Sequence, residues 1–190
     1  MPSRSLLRQA AVVTTAAALL FTLPSIAAAL KTDAAKSSVS AVFKQMNVPV
    51  EAKFRKFNAQ IDFNSAKPDS SKANVEIDVP SFDLGDAEYN REVQKKEWFN
   101  GAQFPKASFV STAVKPGVNG KFDVTGKLTI KGKTADVSFP LTVKKEGANQ
   151  IFEGTLPIKR LAFNVGEGEW KDTSMVADEV LIKFRVVTAQ

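Results

Sequence analysis

Alternation with a period of two runs through almost all of this chain, and it limits the possible folds more than any other feature. In residues 124–143, VTGKLTIKGKTADVSFPLTV, one face carries Val124, Leu128 and Ile130. After a Lys131-Gly132-Lys133 turn the face continues with Val137, Phe139, Leu141 and Val143, while the intervening Thr, Lys, Asp and Ser suit water. Successive side chains of a strand point to opposite faces, so the pattern predicts two strands with one buried face each. The same period returns at Val39, Ala41 and Phe43, and at Phe57, Ala59, Ile61 and Phe63 after Ala52 and Phe54. It recurs at Ala73, Val75, Ile77 and Val79, through residues 107–114, at Phe152, Gly154, Leu156 and Ile158, and at Val180, Ile182, Phe184 and Val186. Turn signals separate these runs at Lys67-Pro68-Asp69, Lys115-Pro116-Gly117, Asn119-Gly120, Gly132 and Glu146-Gly147. About eight such strands must close into a barrel or stack as a sandwich. A closed eight-stranded barrel either fills with its own side chains or holds one small ligand. Periodicity alone does not choose among these.

One segment breaks the alternation. GDAEYNREVQKKEWFNG has a capping residue at Asp86, an acid in the first turn at Glu88, and Glu92 ahead of Lys95 and Lys96. A helix over 87–98 is expected, within a long excursion from Pro80 to Pro105.

Residues 1–29 have the order of an export signal. Arg4 and Arg8 come first, the uncharged run AAVVTTAAALLFTLPSIAAA follows, and Ala27-Ala28-Ala29 supplies small residues for a signal peptidase. Cleavage is expected near Ala29–Leu30, leaving residues 30–190 as one domain in the periplasm. A membrane anchor is the alternative, because the run is about long enough to span. Its Ala and Thr content, Pro24 and the Ala-x-Ala end favour cleavage. The chain has no cysteine, so neither a disulfide nor thiol chemistry is available to it. Removing Arg4 and Arg8 leaves 24 basic against 20 acidic residues, dispersed along the strands. A surface of that kind is a solvated one and argues against nucleic acid.

Chemistry is scarce in this sequence. Without histidine the usual general base is missing, and with cysteine also absent so is the commonest metal-ligand set. Glu167, Glu169, Asp172, Asp178 and Glu179 crowd together, but in loop context acids are ordinarily just solvated. Asp83, Asp86 and Glu88 are accounted for as turn and helix-start residues. No cofactor and no metal is expected. The aromatic census points inward instead: thirteen of the fourteen Phe lie beyond residue 29, beside one Tyr and two Trp. Phe has no polar tip and belongs in an apolar interior. Arg160 is the exception, since it follows Phe152, Gly154, Leu156 and Ile158 at even spacing. It either points into the same interior, where it would suit a phosphate or carboxylate head group, or reaches solvent beyond the strand end.

Four stretches in order, SSVSAVFKQMNVPVEAKFRKFNAQIDFN, EWFNGAQFPKASFVS, VTGKLTIKGKTADVSFP and FEGTLPIKRLAFNVGEGEWKDTSMVADEVLIKFRV, carry a resemblance. Over residues 31–188 the chain resembles the YceI-like family of polyisoprenoid-binding, lipocalin-like periplasmic proteins. That resemblance implies an all-β fold with one short helix, a closed eight-stranded antiparallel lipocalin-like barrel with an apolar interior. It departs from the family pattern at Gln45, Ala52 and Ala162, where many members carry His, Gly and Asp, while Arg160 matches a basic position common in the family. The function implied is non-enzymatic binding, transport or sequestration of a long-chain lipid, most of all a polyisoprenoid. Transient membrane contact and a homodimer fit that role. Candidate wall residues are Phe43, Phe54, Phe109, Phe139, Phe152 and Phe163. Trp98, Phe99 and Phe104 are candidates for a lid, and Arg160 for the head group. An enzyme acting on an amphiphile through carboxylates or lysine, and an interaction protein with a filled barrel, are the alternatives.

Overall fold

The computed structural model describes residues 31–189. The expected export signal and its cleavage site lie outside the described residues. Eleven strands and one α-helix follow in chain order: β1 Lys31–Thr32, β2 Ser38–Gln45, β3 Val48–Phe54, β4 Phe57–Asp62, β5 Lys72–Asp78, β6 Phe82–Asp83, α1 Ala87–Glu92, β7 Lys106–Pro116, β8 Phe122–Ile130, β9 Lys133–Glu146, β10 Asn149–Lys159 and β11 Val176–Ala189. Two of the hairpins use left-handed pairs, Met46-Asn47 between β2 and β3 and Lys131-Gly132 between β8 and β9. Positive φ at both turn residues matches the natural twist of the flanking strands. No helix among the described residues is long and apolar enough to cross a membrane.

Ten strands lie on one antiparallel path, β4-β5-β7-β8-β9-β10-β11-β2-β3-β6, and β1 pairs with β11 beside it. This is a strongly curled sheet, a half-barrel, and not the closed eight-stranded barrel expected. The reason lies in two breaks, the first marked in the sequence by the change of parity between Phe54 and Phe57 and the second by Pro80 after Val79. The run 52–63 bends at Arg55-Lys56 into β3 and β4, and its partner bends at Val79–Ser81, where Pro80 has no N–H to give a ladder. β3 pairs with β6 on one side of this corner and β4 pairs with β5 on the other, so β4 and β6 become the two ends of the sheet. Turn bonds carry the chain through the corner, Arg55 N–H donating to Ser81 O at 3.0 Å and Asp78 N–H to Lys56 O at 3.0 Å. At the other margin Thr32 Oγ1 donates to Ala59 O at 2.5 Å, joining β1 to β4 by a side chain.

The inner face of the curl is apolar, as the alternation predicts, with Val39, Ala41, Ala59, Val124, Leu128, Phe139, Leu156 and Val186 all buried. The helix is shorter than expected. Asp86 does cap it, its carboxylate accepting from Glu88 N–H at 2.8 Å and Tyr89 N–H at 3.0 Å. Beyond Glu92, however, the chain tightens into three-residue turns, with Lys95 N–H bonded to Glu92 O and Trp98 N–H to Lys95 O. In a continuous helix Val93 and Trp98 would point about 140° apart. The turns instead let Val93, Trp98 and Phe99 all pack against the core.

Candidate functional site

The curled sheet holds two partly open cavities that share part of their walls. The smaller, of ≈ 150 Å³, is walled by Phe63, Val75, Phe109, Phe139, Phe152 and Phe184 among others, with Asp62, Ser71 and Lys72 at its far end. The larger, of ≈ 350 Å³, lies between the sheet and the excursion and is walled by Phe43, Phe82, Leu84, Trp98, Phe99, Phe163 and Trp170, with Gln45, Glu92 and Arg160 as its polar members. Phe54, Ile130 and Ile182 belong to both walls and form the waist between them. The surface that the smaller cavity presents is almost wholly apolar, which suits an apolar guest. Beside the larger cavity stands an exposed apolar rim. Met46 and Val48 are 62% exposed and Tyr89, which also lines the cavity, is 61% exposed. Met175, also exposed, joins this hairpin through its main chain, its carbonyl accepting from Met46 N–H at 2.8 Å.

Room inside depends on where the rings lie. Gly154 pairs across the sheet with Phe184, and a Cβ on Gly154 would stand 2.4 Å from that ring. The missing side chain lets Phe184 lie against the wall. Edge-to-face and tilted contacts then link the rings in groups: Phe63 with Phe122 and Phe152, Phe139 with Phe109 and Phe184, and Phe82 with Phe54 and Phe99, all at centroid separations of 4.8–5.5 Å. Such packing holds a wall in place without filling the space in front of it.

Two buried cations hold the chain beside the larger cavity, Arg160 the loop over 165–177 and Lys131 the contact of that loop with the excursion. Arg160 is 3% exposed and gives all five of its N–H groups to main-chain oxygens. Nε donates to Ala177 O at 3.1 Å, Nη1 to Val165 O and Gly166 O at 2.9 and 3.1 Å, and Nη2 to Trp170 O and Val176 O at 2.6 and 2.7 Å. Its guanidinium also stands 5.8 Å from the Trp98 ring centroid. Burial lowers its pKa from the usual arginine value and the Asp178 carboxylate opposes that shift. Lys131 is the second clamp, its Nζ donating to Lys96 O, Asn164 O and a Glu167 carboxylate oxygen at 2.7, 2.7 and 2.9 Å. That bond is the leading reason the Glu167 carboxyl sits below its ordinary pKa. Glu97 O completes the seam, accepting from Gly166 N–H and Glu167 N–H.

The sequence matches the YceI-like domain over residues 30–188, nearly the whole of the described chain. The chain belongs to the YceI-like family. Among curated relatives it is similar to a UPF0312 protein of Pseudomonas savastanoi pv. phaseolicola, 36% identical over 98 residues, covering 52% of this chain and 51% of the relative. It is also similar to a UPF0312 protein of Azotobacter vinelandii, 32% identical over 133 residues and 67% of each chain. The chain thus spans about half the length of the Pseudomonas relative it matches. Among solved structures it is similar to Burkholderia cenocepacia BcnA, with a TM-score of 0.81 and 58% identity over 83% of this chain and 99% of that one. A polyisoprenoid-binding domain from Saccharophagus degradans shares the fold at a TM-score of 0.68 and 16% identity, over 85% and 98% of the two chains.

Within this YceI-like fold the expected site residues divide between the compartments. Phe109, Phe139 and Phe152 line the smaller cavity, Phe43, Trp98, Phe99, Arg160 and Phe163 line the larger, and Phe54 lies at the waist. Phe104 stands apart from both, its ring resting on the Gly132 turn. Arg160 does turn inward, yet its donors are consumed by carbonyls, so it differs from the free head-group anchor expected at that position. The crowded acids serve local structure: Asp178 accepts from Leu161 N–H, Asp172 from Ser174 N–H, and Glu167 pairs with Lys131. Of the positions where the chain departs from the family pattern, Gln45 lines the larger cavity, Ala52 is fully buried and Ala162 is exposed. Sequence reasoning passed over Phe63, Phe184, Ile130 and Ile182 as cavity walls, although their even spacing already placed them on inner faces. It also passed over Trp170, for which no periodic signal exists.

Proposed function

We propose that this protein binds a long-chain apolar or amphiphilic molecule, most of all a polyisoprenoid, inside the curled sheet, and carries or sequesters it without chemical change. The observation that carries this reading is the pair of apolar cavities meeting at the Phe54–Ile130–Ile182 waist. Each methylene taken out of water is worth about 0.8 kcal/mol, so a long hydrocarbon gains many kcal/mol by entering such a space. Membership of the YceI-like family and the fold shared with a polyisoprenoid-binding domain support the same cargo. The order of residues 1–29 supports a periplasmic site of action. An exposed rim of Met46, Val48, Tyr89 and Met175 beside the larger cavity supports transient contact with a bilayer during exchange.

The test is native mass spectrometry of the protein isolated without detergent, followed by solvent extraction. The expected result is a discrete adduct of isoprenoid mass, or its appearance when a ladder of prenols is added. A bare mass that no prenol of the ladder changes would overturn the reading.

A further inference from the structure

Sulfur is confined to one place in this structure. The chain has no cysteine, and the two methionines within the described residues, Met46 and Met175, meet at the β2–β3 hairpin. They occupy adjacent positions of the ladder, since Gln45 pairs with Val176 and Met46 N–H donates to Met175 O at 2.8 Å. Methionine ordinarily fills gaps in a core, yet the buried positions here are taken by Val, Ile, Leu, Phe and Ala. Met46 is instead 62% exposed and Met175 45%. Each is the chain neighbour of a residue that lines the larger cavity, Gln45 for Met46 and Val176 for Met175. The hairpin around them is uncharged: residues 45–50 read QMNVPV, and 46–49 are all exposed. An exposed thioether is the group that a hydroperoxide oxidises where no thiol competes.

Resting on the exchange with a bilayer proposed above, we infer that Met46 and Met175 form an oxidation site. A hydroperoxide acting there turns the apolar hairpin surface beside the larger cavity into a polar one and slows the exchange of cargo. The thioether sulfur attacks one peroxide oxygen, the S–O bond forming as the O–O bond breaks. The displaced oxygen takes the proton of the transferred one and leaves as water, or as an alcohol from an alkyl hydroperoxide. Sulfur loses two electrons and the peroxide gains them. The sulfoxide oxygen is an acceptor that hydrocarbon cannot satisfy, so taking it out of water costs free energy that the thioether does not. The change is reversible, because methionine sulfoxide reductases return the thioether, one enzyme for each sulfoxide epimer.

The test treats the folded protein with hydrogen peroxide and locates the added oxygen by peptide mass mapping. Both methionines are expected to oxidise within about threefold of their rate in the urea-unfolded chain, as exposed thioethers do. Exchange is then read as transfer of a fluorescent prenol between vesicles of phosphatidylethanolamine and phosphatidylglycerol. Oxidation is expected to slow transfer by the wild type about tenfold. The double variant Met46→Leu, Met175→Leu keeps the hairpin apolar without sulfur, and its treated and untreated samples should transfer at the same rate as each other. A further measurement on the wild type stands even if the variant does not fold: the two sulfoxide reductases together should restore the untreated rate. Methionines that resist peroxide until the chain unfolds, or an oxidised wild type that transfers as fast as before, overturn the inference while leaving the cavity reading intact. So does an equal loss in the double variant, or a loss that the reductases do not reverse. If the untreated protein transfers no prenol, the exchange reading falls and the inference with it.

Discussion

Arg160 shows how one side chain can organise a loop without touching a carboxylate. Five carbonyls from Val165, Gly166, Trp170, Val176 and Ala177 converge on its guanidinium, so its removal leaves five acceptors to find new donors at once. Arg160→Met is expected to lower stability by about 3 kcal/mol in urea unfolding, the range seen when one side of a buried charged contact is deleted. Gly166 is the matching constraint. Its φ of +81° disfavours other residues, and a Cβ there would stand 2.1 Å from Arg160 Nη1. Lys131→Met strips the donor from Lys96 O, Asn164 O and Glu167 together. A loss of about 1–3 kcal/mol is expected, read from the shift in urea midpoint, with the fluorescence of Trp98 and Trp170 reporting a loosened excursion.

Among the elements, the pairing of β10 with β11 sets the width of the smaller cavity. Gly154→Ala places a methyl where the Phe184 ring now lies, and the ring has only the interior to move into. Overpacking of this kind costs about 1–3 kcal/mol. The more specific expectation is a shift of the bound prenol ladder toward shorter chains, seen by native mass spectrometry. An unchanged chain-length profile would show that the smaller cavity does not measure the tail. The corner where β6 enters α1 has its own pH signature. Asp83 accepts from the Asn90 side chain at 2.9 Å, from Gly85 N–H at 2.8 Å and from Arg55, which together hold its carboxyl near a pKa of about 2. A depressed carboxyl stabilises the fold at pH above its ordinary value of 3.8 and loses that contribution as pH falls toward 2. Thermal unfolding of the wild type should therefore weaken between about pH 4 and pH 2 more steeply than that of Asp83→Asn.

For the whole molecule the decisive feature is the waist. Phe54 comes from β3, Ile130 from the end of β8 and Ile182 from β11, so three remote parts of the sheet meet there. Ile182→Phe fills this passage. Long prenols should then lose affinity while short ones keep theirs, because only a short chain fits within the larger cavity alone. Equal affinity for long chains in this variant and the wild type would separate the two cavities functionally. The excursion is joined to the 164–167 loop at the seam made by Lys131 and Glu97 O, whereas Met46, Val48, Tyr89 and Met175 are exposed.

Much of this architecture was legible in the residues themselves. Alternation at Val39 to Phe43, Phe152 to Ile158 and Val180 to Val186 determines which side chains face inward, because a strand allows no other period. Asp86 marks the helix start, since its carboxylate satisfies the first free N–H groups, and the Lys131-Gly132 pair marks its hairpin through backbone twist. Tertiary structure decided the rest. The bend at Arg55-Lys56 and the turn at Val79–Ser81 are marked by a change of parity and a proline, but only the fold pairs β3 with β6 and β4 with β5 across that corner, which turns a closed barrel into a curled sheet with two ends. The helix stops at Glu92 because Val93, Trp98 and Phe99 gain more by packing on one core than by keeping helical bonds. Even spacing brought Arg160 inward, but only the fold delivered five carbonyls to it and left the indole N–H of Trp98 with none. Local periodicity is set by neighbours along the chain, whereas hydrogen-bond partners 10 to 17 residues away for Arg160 Nε and Nη2 exist only once the loops have met.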